Sequence, residues 1–239
     1  MPFLGVIFPV CECGNIPVAK RLFVKGLKSS HVITFILAAP AFNPIVFLST
    51  YTAFRATPEI IFFRFVLTYF IAVGVGILFS YKKNDAELLK PSFLDEIACA
   101  PRNVKKSGKI FASNFMDDFG MMLVSLVIGS LIASALQSFT PLDILKTLGQ
   151  NPILSILTMM IIAFVISICS NVDAFVALSY STRFTSGSIV AFLVFGPMID
   201  IKSLSMLANI FTKKTLILLI LIVSILTFIS GLILNFYIF

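Results

Sequence analysis

Six long apolar stretches, separated by short polar intervals, dominate this chain. A helix needs about 20 predominantly apolar residues to cross a bilayer. The pattern predicts such helices over residues 31–54, 58–81, 111–138, 151–169, 187–212 and 215–239. Two shorter segments, 15–27 and 172–185, are predicted as short re-entrant helices that do not span alone. The pattern thus predicts an all-α integral membrane protein, a polytopic helical bundle in contact with membrane lipid.

The composition agrees with a lipid environment. Of the 239 residues, 59% are hydrophobic and 12% are charged, which is about half the charged fraction of a soluble domain. The net charge of +7 comes largely from basic residues that cluster between the apolar stretches, as orientation signals do. This placement argues against a nucleic-acid partner, because a nucleic-acid site gathers its basic residues on one solvated surface. We predict no resident cofactor.

Residues 82–110 form the one long polar interval. Its seven basic residues are Lys82, Lys83, Lys90, Arg102, Lys105, Lys106 and Lys109. Because cytoplasmic loops are enriched in lysine and arginine, we predict that this linker is cytoplasmic and that the chain is a multi-pass protein of the cell membrane. The same orientation returns Arg183 to the inside and leaves Lys213 and Lys214 outside, as an exception to the rule.

A weak internal repeat divides the chain into a first half, 1–81, and a second half, 111–239. The matched pairs are Cys13 with Cys169, Asn15 with Asn171, Pro40 with Pro197 and Asn43 with Asp200, at offsets of 156 and then 157. Duplicated halves are common in secondary transporters, which bind substrate where the halves meet. We therefore predict that matched residues approach one another across a pseudo-twofold axis.

The relative orientation of the two halves depends on how often each one crosses the membrane. With 15–27 and 172–185 as re-entrant segments, each half crosses an even number of times, and the repeats are parallel. If both segments cross fully, the number is odd and the repeats are inverted. The pattern favours the parallel arrangement without deciding between the two.

Pro40 and Pro197 lie inside long apolar stretches. Proline lacks the backbone N–H and leaves a carbonyl without its helical partner, so both helices are predicted to be broken near mid-membrane. Unwound backbone is tolerated at that depth where it is buried in protein or lines a cavity. Asn43 and Asp200 would place side-chain oxygens beside the freed carbonyls, which favours a substrate site over a simple packing kink.

Cys11, Cys13 and Cys169 are candidate substrate ligands, together with the neighbouring Asn15 and Asn171. Thiolates are soft ligands that suit copper(I), zinc or trivalent arsenic. Packing is the main alternative, since buried cysteine is a common small core residue, and a redox disulfide is a third. With a single histidine and no CxxC or HExxH motif, we predict no structural metal site.

Asp173 and Asp200 place carboxylates in otherwise apolar sequence. Such residues usually face a pathway or a partner, and both are candidates for proton coupling. Each also has a local alternative. Asp173 could cap its short helix, as Asn15 would cap the earlier one, and Asp200 could pair with Lys202.

The segment from Pro9 to Ala19, with the sequence Pro-Val-Cys-Glu-Cys-Gly-Asn-Ile-Pro-Val-Ala, is followed by Pro-Ala-Phe-Asn-Pro at 40–44. Together they resemble the bacterial predicted-permease family that includes ArsP-type organoarsenical efflux permeases. The resemblance implies a polytopic plasma-membrane permease, sometimes encoded with a second membrane protein as a two-component complex. Members differ in substrate, so the resemblance implies a small-molecule or ion substrate without identifying it.

In that family the Cys-x-Cys signature follows one or two complete transmembrane helices, whereas about ten apolar residues precede it here. The first half is therefore expected to be N-terminally incomplete, either because translation starts further upstream or because the chain is a truncated remnant. We predict a membrane permease for a small solute, with soft-metal and organic-metalloid species as candidates and proton coupling as the driving force. The alternatives are a membrane-embedded thiol redox enzyme and a non-transporting subunit of a permease complex.

Overall fold

The computed structural model describes residues 12–81, 88–94 and 151–237, with six single positions between 120 and 131. Nine helices lie in the longer ranges. They are α1 (Glu12–Val24), α2 (Ser29–Ala38), α3 (Pro44–Ala53), α4 (Pro58–Ser80), α5 (Pro152–Ile166), α6 (Asp173–Tyr180), α7 (Ser186–Met198), α8 (Ile201–Leu207) and α9 (Lys213–Tyr237). The helix predicted over 111–138 falls almost entirely outside the described residues. The observed helices confirm an all-α membrane protein.

Three helical stretches of the described chain are long and apolar enough to cross a bilayer. These are α4, the combined α7 and α8, and α9, while α2, α3 and α5 are apolar but shorter. The outer surfaces of α4 and α9 expose large apolar side chains, including Phe62, Phe70, Ile225 and Phe236. Such a surface is favourable against lipid tails, and together with the length of these helices it supports the prediction of a multi-pass membrane protein.

Both proline-containing helices are broken, as predicted. The stretch 31–54 divides into α2 and α3, and the stretch 187–212 divides into α7 and α8. After each break a side chain caps the new helix: Asn43 accepts a hydrogen bond from the Ile45 N–H at 3.0 Å, and Asp200 accepts one from the Ser203 N–H at 2.6 Å. The caps satisfy N–H groups that the break would otherwise leave unpaired in the membrane.

Each broken helix packs antiparallel to the long helix that follows it. Gly76, near the end of α4, lies against Ser30 at the start of α2 and against Thr34 one turn later. In the same way, the Gly187 N–H at the start of α7 donates to Asn235 Oδ1 near the end of α9, at 3.0 Å. In both cases the helix pair begins and ends on one face of the membrane.

The two broken helices cross the membrane in opposite directions. Phe23, which shortly precedes α2, packs edge-on against Phe211, which follows α8, with ring centroids 6.0 Å apart. The start of α2 therefore lies on the same face as the end of α8. This arrangement corrects the parallel orientation that the sequence pattern favoured, and it is the inverted alternative.

The parallel orientation was predicted because the stretch that contains α5 was taken to cross the membrane. Ser155 near the start of α5 donates to Ser188 Oγ at the start of α7, at 2.9 Å, so both helices begin on one face. Helix α5 ends at Ile166, and the next residue, Ser167, has a left-handed φ of 52°. The Ser167 hydroxyl reaches Asp200 at the break between α7 and α8. Helix α6 then leads back to the face where α7 begins. Helices α5 and α6 therefore form a re-entrant hairpin with its tip at 167–172.

The described part of the linker, 88–94, is packed rather than solvated. Leu88, Leu89 and Phe93 are buried, and Phe93 packs against Phe23 with ring centroids 5.8 Å apart. The Thr212 N–H donates to the Leu88 carbonyl at 3.0 Å. These contacts bring the linker to the face that carries Lys213 and Lys214, which corrects the prediction that the two lysines are an exception to the charge rule. The remainder of the linker lies outside the described residues.

We expect single cysteines to report this topology. Ser80→Cys and Lys213→Cys, both at exposed positions, should be labelled from the same side of the membrane, and Arg183→Cys from the other side. The measurement is labelling by an impermeant thiol reagent in intact cells and in inverted vesicles, in otherwise cysteine-free protein. Joint labelling of positions 80 and 183, with 213 on the opposite side, would restore the parallel arrangement.

Candidate functional site

The hairpin tip lies against the break between α7 and α8. The Ser167 hydroxyl donates to Asp200 Oδ2 at 2.7 Å, and the Ser167 carbonyl accepts a hydrogen bond from Lys202 Nζ at 2.8 Å. Lys202 thus binds the carboxyl end of α5, where a cation is favoured by the helix dipole. This contact replaces the predicted local pairing of Lys202 with Asp200.

Asp200 and Asn43 occupy equivalent places in their helices. Both side chains are buried, and both cap the helix after the break. Pro40 and Pro197 are also buried beside these two breaks. The predicted residues therefore stand at unwound backbone in the interior of the protein, where such backbone is tolerated in a membrane protein.

Helix α1 begins at the hairpin tip of the other half. Glu12, the first residue of α1, is buried, and its Oε1 accepts a hydrogen bond from the Ser170 N–H at 3.1 Å. Glu12 also lies within electrostatic range of Asp200. The sequence signature around Glu12 and its echo around Ser170 therefore meet, as the repeat predicts for the segments that contain Cys13 and Cys169.

Asn15 and Asn171 carry buried polar atoms that lack partners among the described residues. Asn15 is 1% exposed, and both its amide nitrogen and its amide oxygen are without a hydrogen-bond partner there; the same holds for Asn171 Oδ1. An unpartnered buried polar group costs about 1–3 kcal/mol. The missing partners make these atoms candidates for contact with a ligand. Asn15 lies one turn into α1, so its predicted role as a cap is wrong.

The cysteines are only partly described. Cys169 is exposed at the hairpin tip, and Cys13 lies in α1 next to Glu12. Cys11 and the side chain of Cys13 fall outside the described residues. The approach of Cys13 to Cys169 therefore stays a prediction. Within the described part of the chain, no group of three or more His, Cys, Asp or Glu side chains is arranged to hold a metal ion.

Sequence reasoning missed Arg64. This residue is fully buried in α4, and its Nη2 donates to Asp173 Oδ2 at 2.6 Å. Arginine inside an apolar stretch was the available signal, because an intramembrane charge usually marks a function and has a partner. The cap predicted for Asp173 is wrong: Val172 occupies the cap position, and Asp173 is the first helical residue, with its carboxylate turned to Arg64.

The packing of the short helices is reciprocal. Helix α6 of the second half packs against α3 of the first, and α1 of the first half packs against α8 of the second. The repeat matches α1 with α6 and α3 with α8, so a pseudo-twofold operation exchanges these two contacts. The reciprocity supports the predicted axis, and the approach of Asn43 to Asp200 across it stays a prediction.

Known proteins are similar to this chain over most of its length. A family model described as a predicted permease, of the ArsP type, matches residues 2–236. The UPF0718 protein YcgR of Bacillus subtilis is 41% identical over 216 residues, covering 90% of this chain and 74% of its own. A Streptococcus mutans protein named "Putative two-component membrane permease complex subunit" is 36% identical over 217 residues, covering 89% of this chain and 71% of its own. No solved structure matches the chain.

Proposed function

Since this chain belongs to the ArsP-type family of predicted permeases, we propose that it moves a small solute across the cell membrane through the site between the hairpin tip and the two helix breaks. The family indicates a transporter rather than an enzyme. The proposal concerns where the solute binds, what class of solute it is, and how its movement is driven.

The observation that carries the proposed site is the set of unpartnered amide atoms, both polar atoms of Asn15 and the Oδ1 of Asn171. Asn15 and Asn171 belong to opposite halves, and the Glu12–Ser170 hydrogen bond joins their segments. A permease that exposes its site alternately to each side needs groups reachable from both halves. Amides that are buried and unpartnered at such a junction are preorganised to bind a solute at little cost in reorganisation.

The proposed substrate class is a soft-metal or organic-metalloid species. Cys169 is exposed at the tip beside Ser170, and Cys11 and Cys13 flank Glu12 in the sequence. Thiolates bind such species strongly. Because a transported solute must also leave, we propose transient ligation by these thiols with Asn15 and Asn171 as hydrogen-bonding partners.

We further propose that transport is proton-coupled through Asp200. Of the two predicted coupling residues, Asp173 is held in an ion pair with Arg64, whereas Asp200 contacts the neutral Ser167 hydroxyl and Ser203 N–H. A proton on Asp200 would change these contacts at the helix break itself. Asp173 is accordingly the weaker candidate for carrying the proton.

A second membrane subunit is a proposed partner. The support is the printed name of the Streptococcus mutans relative, which describes a subunit of a two-component complex. Because a subunit of a complex need not carry the solute itself, a non-transporting subunit is the second candidate function of this chain. Co-purification of the chain from its native membrane, followed by transport assays with and without the associated protein, separates the two.

We expect Asn15→Ala and Asn171→Ala to lower transport by at least about tenfold while leaving stability unchanged or raised. Removing buried amide atoms that have no partner, two in Asn15 and the oxygen in Asn171, relieves their desolvation cost, so a residue kept for binding is dispensable for folding. The measurement is uptake into proteoliposomes of copper(I), zinc and trivalent methylated arsenic, with thermal unfolding in parallel. Asn151→Ala, at an exposed position, is the control. Parent-like uptake in both site variants would place the binding site elsewhere.

A further inference from the structure

Arg64 is the most deeply buried charge in the described part of the chain, with 0% of the residue exposed. It lies in α4, one of the helices long enough to span the membrane. A guanidinium in this setting is costly, and it is retained only with partners. Two are present: Nη2 donates to Asp173 Oδ2 at 2.6 Å, and Nη1 donates to Thr50 Oγ1 at 2.7 Å.

These two bonds join elements of opposite halves. Arg64 and Thr50 belong to α4 and α3 of the first half, while Asp173 opens α6, directly after the hairpin tip of the second half. Thr50 is itself fixed, because its hydroxyl also donates to the Val46 carbonyl at 2.7 Å. The guanidinium therefore connects a rigid surface made of α3 and α4 to the tip that carries Asn171.

The connection is not repeated in the other half. At the repeat offset of 157, Arg64 corresponds to Leu221, which is half-exposed on the outer surface of α9. If the duplicated fold itself required such an ion pair, both halves would be expected to contain one. The buried arginine therefore contacts the hairpin of the second half, and the repeat supplies no equivalent charge for the first half.

We propose that Arg64 is a positioning residue, which pins the tip of the α5–α6 hairpin to α3 and α4 and so sets the place of Ser170 and Asn171. The anchoring follows from the geometry of the ion pair, and its importance for transport rests on the proposed function. Arg64 acts through Asp173 and does not itself need to touch the solute. Its fork-shaped guanidinium suits the role, because it bonds two partners in a fixed relative direction.

If the Arg64–Asp173 pair served stability alone, its removal would have a different effect. Replacing a buried ion pair by apolar residues of similar size is often neutral or stabilising, whereas removing one partner leaves an uncompensated charge. Overall stability therefore does not report the positioning role, but local order at residues 167–180 does. The informative variant is Arg64→Met combined with Asp173→Leu, in which neither charge of the pair remains and the anchor is absent.

The test is amide hydrogen exchange of the full chain in lipid nanodiscs, together with the labelling rate of Cys169 located by mass spectrometry. In Arg64→Met/Asp173→Leu we expect exchange in peptides covering 167–180 to rise by at least about tenfold, and Cys169 labelling to accelerate. Exchange in 213–237 should not change. Arg64→Lys keeps one cationic partner for Asp173, so its exchange over 167–180 should be closer to the parent value than that of the double variant. Arg55→Met, at an exposed arginine, should show the same exchange as the parent.

Parent-like exchange over 167–180 in the folded double variant would overturn the proposal. The double variant keeps the test decisive if Arg64→Met alone fails to fold. Both readouts are taken without substrate, so they are independent of whether any tested solute is transported. Loss of transport with an ordered tip would count against Arg64 as a positioning residue, and a disordered tip would support it even if the solute proves to be another species.

Discussion

Asp200→Asn is expected to abolish proton-coupled transport while leaving folding and membrane insertion intact. The variant keeps the shape of the side chain, and its amide oxygen can still accept from the Ser203 N–H, as Asn43 accepts from the Ile45 N–H in the first half. The Ser167 hydroxyl can turn to accept from the new amide. An ionised carboxylate at the bilayer centre costs at least about 2.5–3.5 kcal/mol on insertion scales, so a chain without a use for the charge gains by carrying asparagine there.

The measurement is solute uptake into proteoliposomes driven by an imposed pH gradient. Asp200→Ala is the matched comparison, because it removes both the charge and the cap. Loss of an N-cap side chain costs about 1 kcal/mol, so only the alanine variant should lower the unfolding temperature. Transport by Asp200→Asn with unchanged pH dependence would show that the carboxylate is structural and that the coupling site lies elsewhere.

The helix breaks could be predicted because their cause is local. Pro40 and Pro197 each remove a backbone donor, and Asn43 and Asp200 follow them at the right distance to cap a new helix. Such signals depend on a few neighbouring residues and on the covalent structure of proline. The structure buries all four residues. Asn43 and Asp200 lie at unwound backbone, Pro40 lies in the turn after α2, and Pro197 lies in the last turn of α7.

The orientation of the halves could not be predicted because it depends on one backbone conformation. The stretch 151–169 is apolar enough to read as a crossing, yet the helix ends at Ser167 in a left-handed conformation. A serine gives no warning of this, whereas glycine or proline would have done so. What holds Ser167 there is a tertiary contact with Asp200, which lies far away in the sequence.

The pairing of Arg64 with Asp173 could not be predicted from the sequence either. Arg64 and Asp173 were both conspicuous in apolar sequence, but no periodicity links two residues in different halves that meet only through the fold. The packed segment 88–94 was hidden for a different reason. Its three buried side chains, Leu88, Leu89 and Phe93, lie in a stretch dominated by charges, so composition averaged over the linker concealed them.

Gly187→Ala is expected to destabilise the protein by roughly 1–3 kcal/mol, the range seen for overpacked cores. A Cβ at this position would lie 2.7 Å from the Gly231 carbonyl oxygen and 2.5 Å from Asn235 Oδ1. The side chain of Asn235 can rotate away, but it would then lose the bond that the Gly187 N–H makes to it. The Gly231 oxygen belongs to the backbone of α9, so α7 and α9 must move apart.

Gly74→Ala is the matched control, because it also changes a glycine within a long helix but meets no atom within 4 Å. Alanine favours helix over glycine by up to about 1 kcal/mol, so this variant should be neutral or slightly stabilised. Thermal unfolding of both purified variants in detergent, followed by circular dichroism, is the measurement. A lower unfolding temperature for Gly187→Ala alone would establish the close approach of α7 and α9, and hence the antiparallel pairing from which the inverted orientation was inferred. Equal unfolding temperatures would mean that the two helices are further apart. The argument for the direction of α7 would then rest on the Phe23–Phe211 and Leu88–Thr212 contacts.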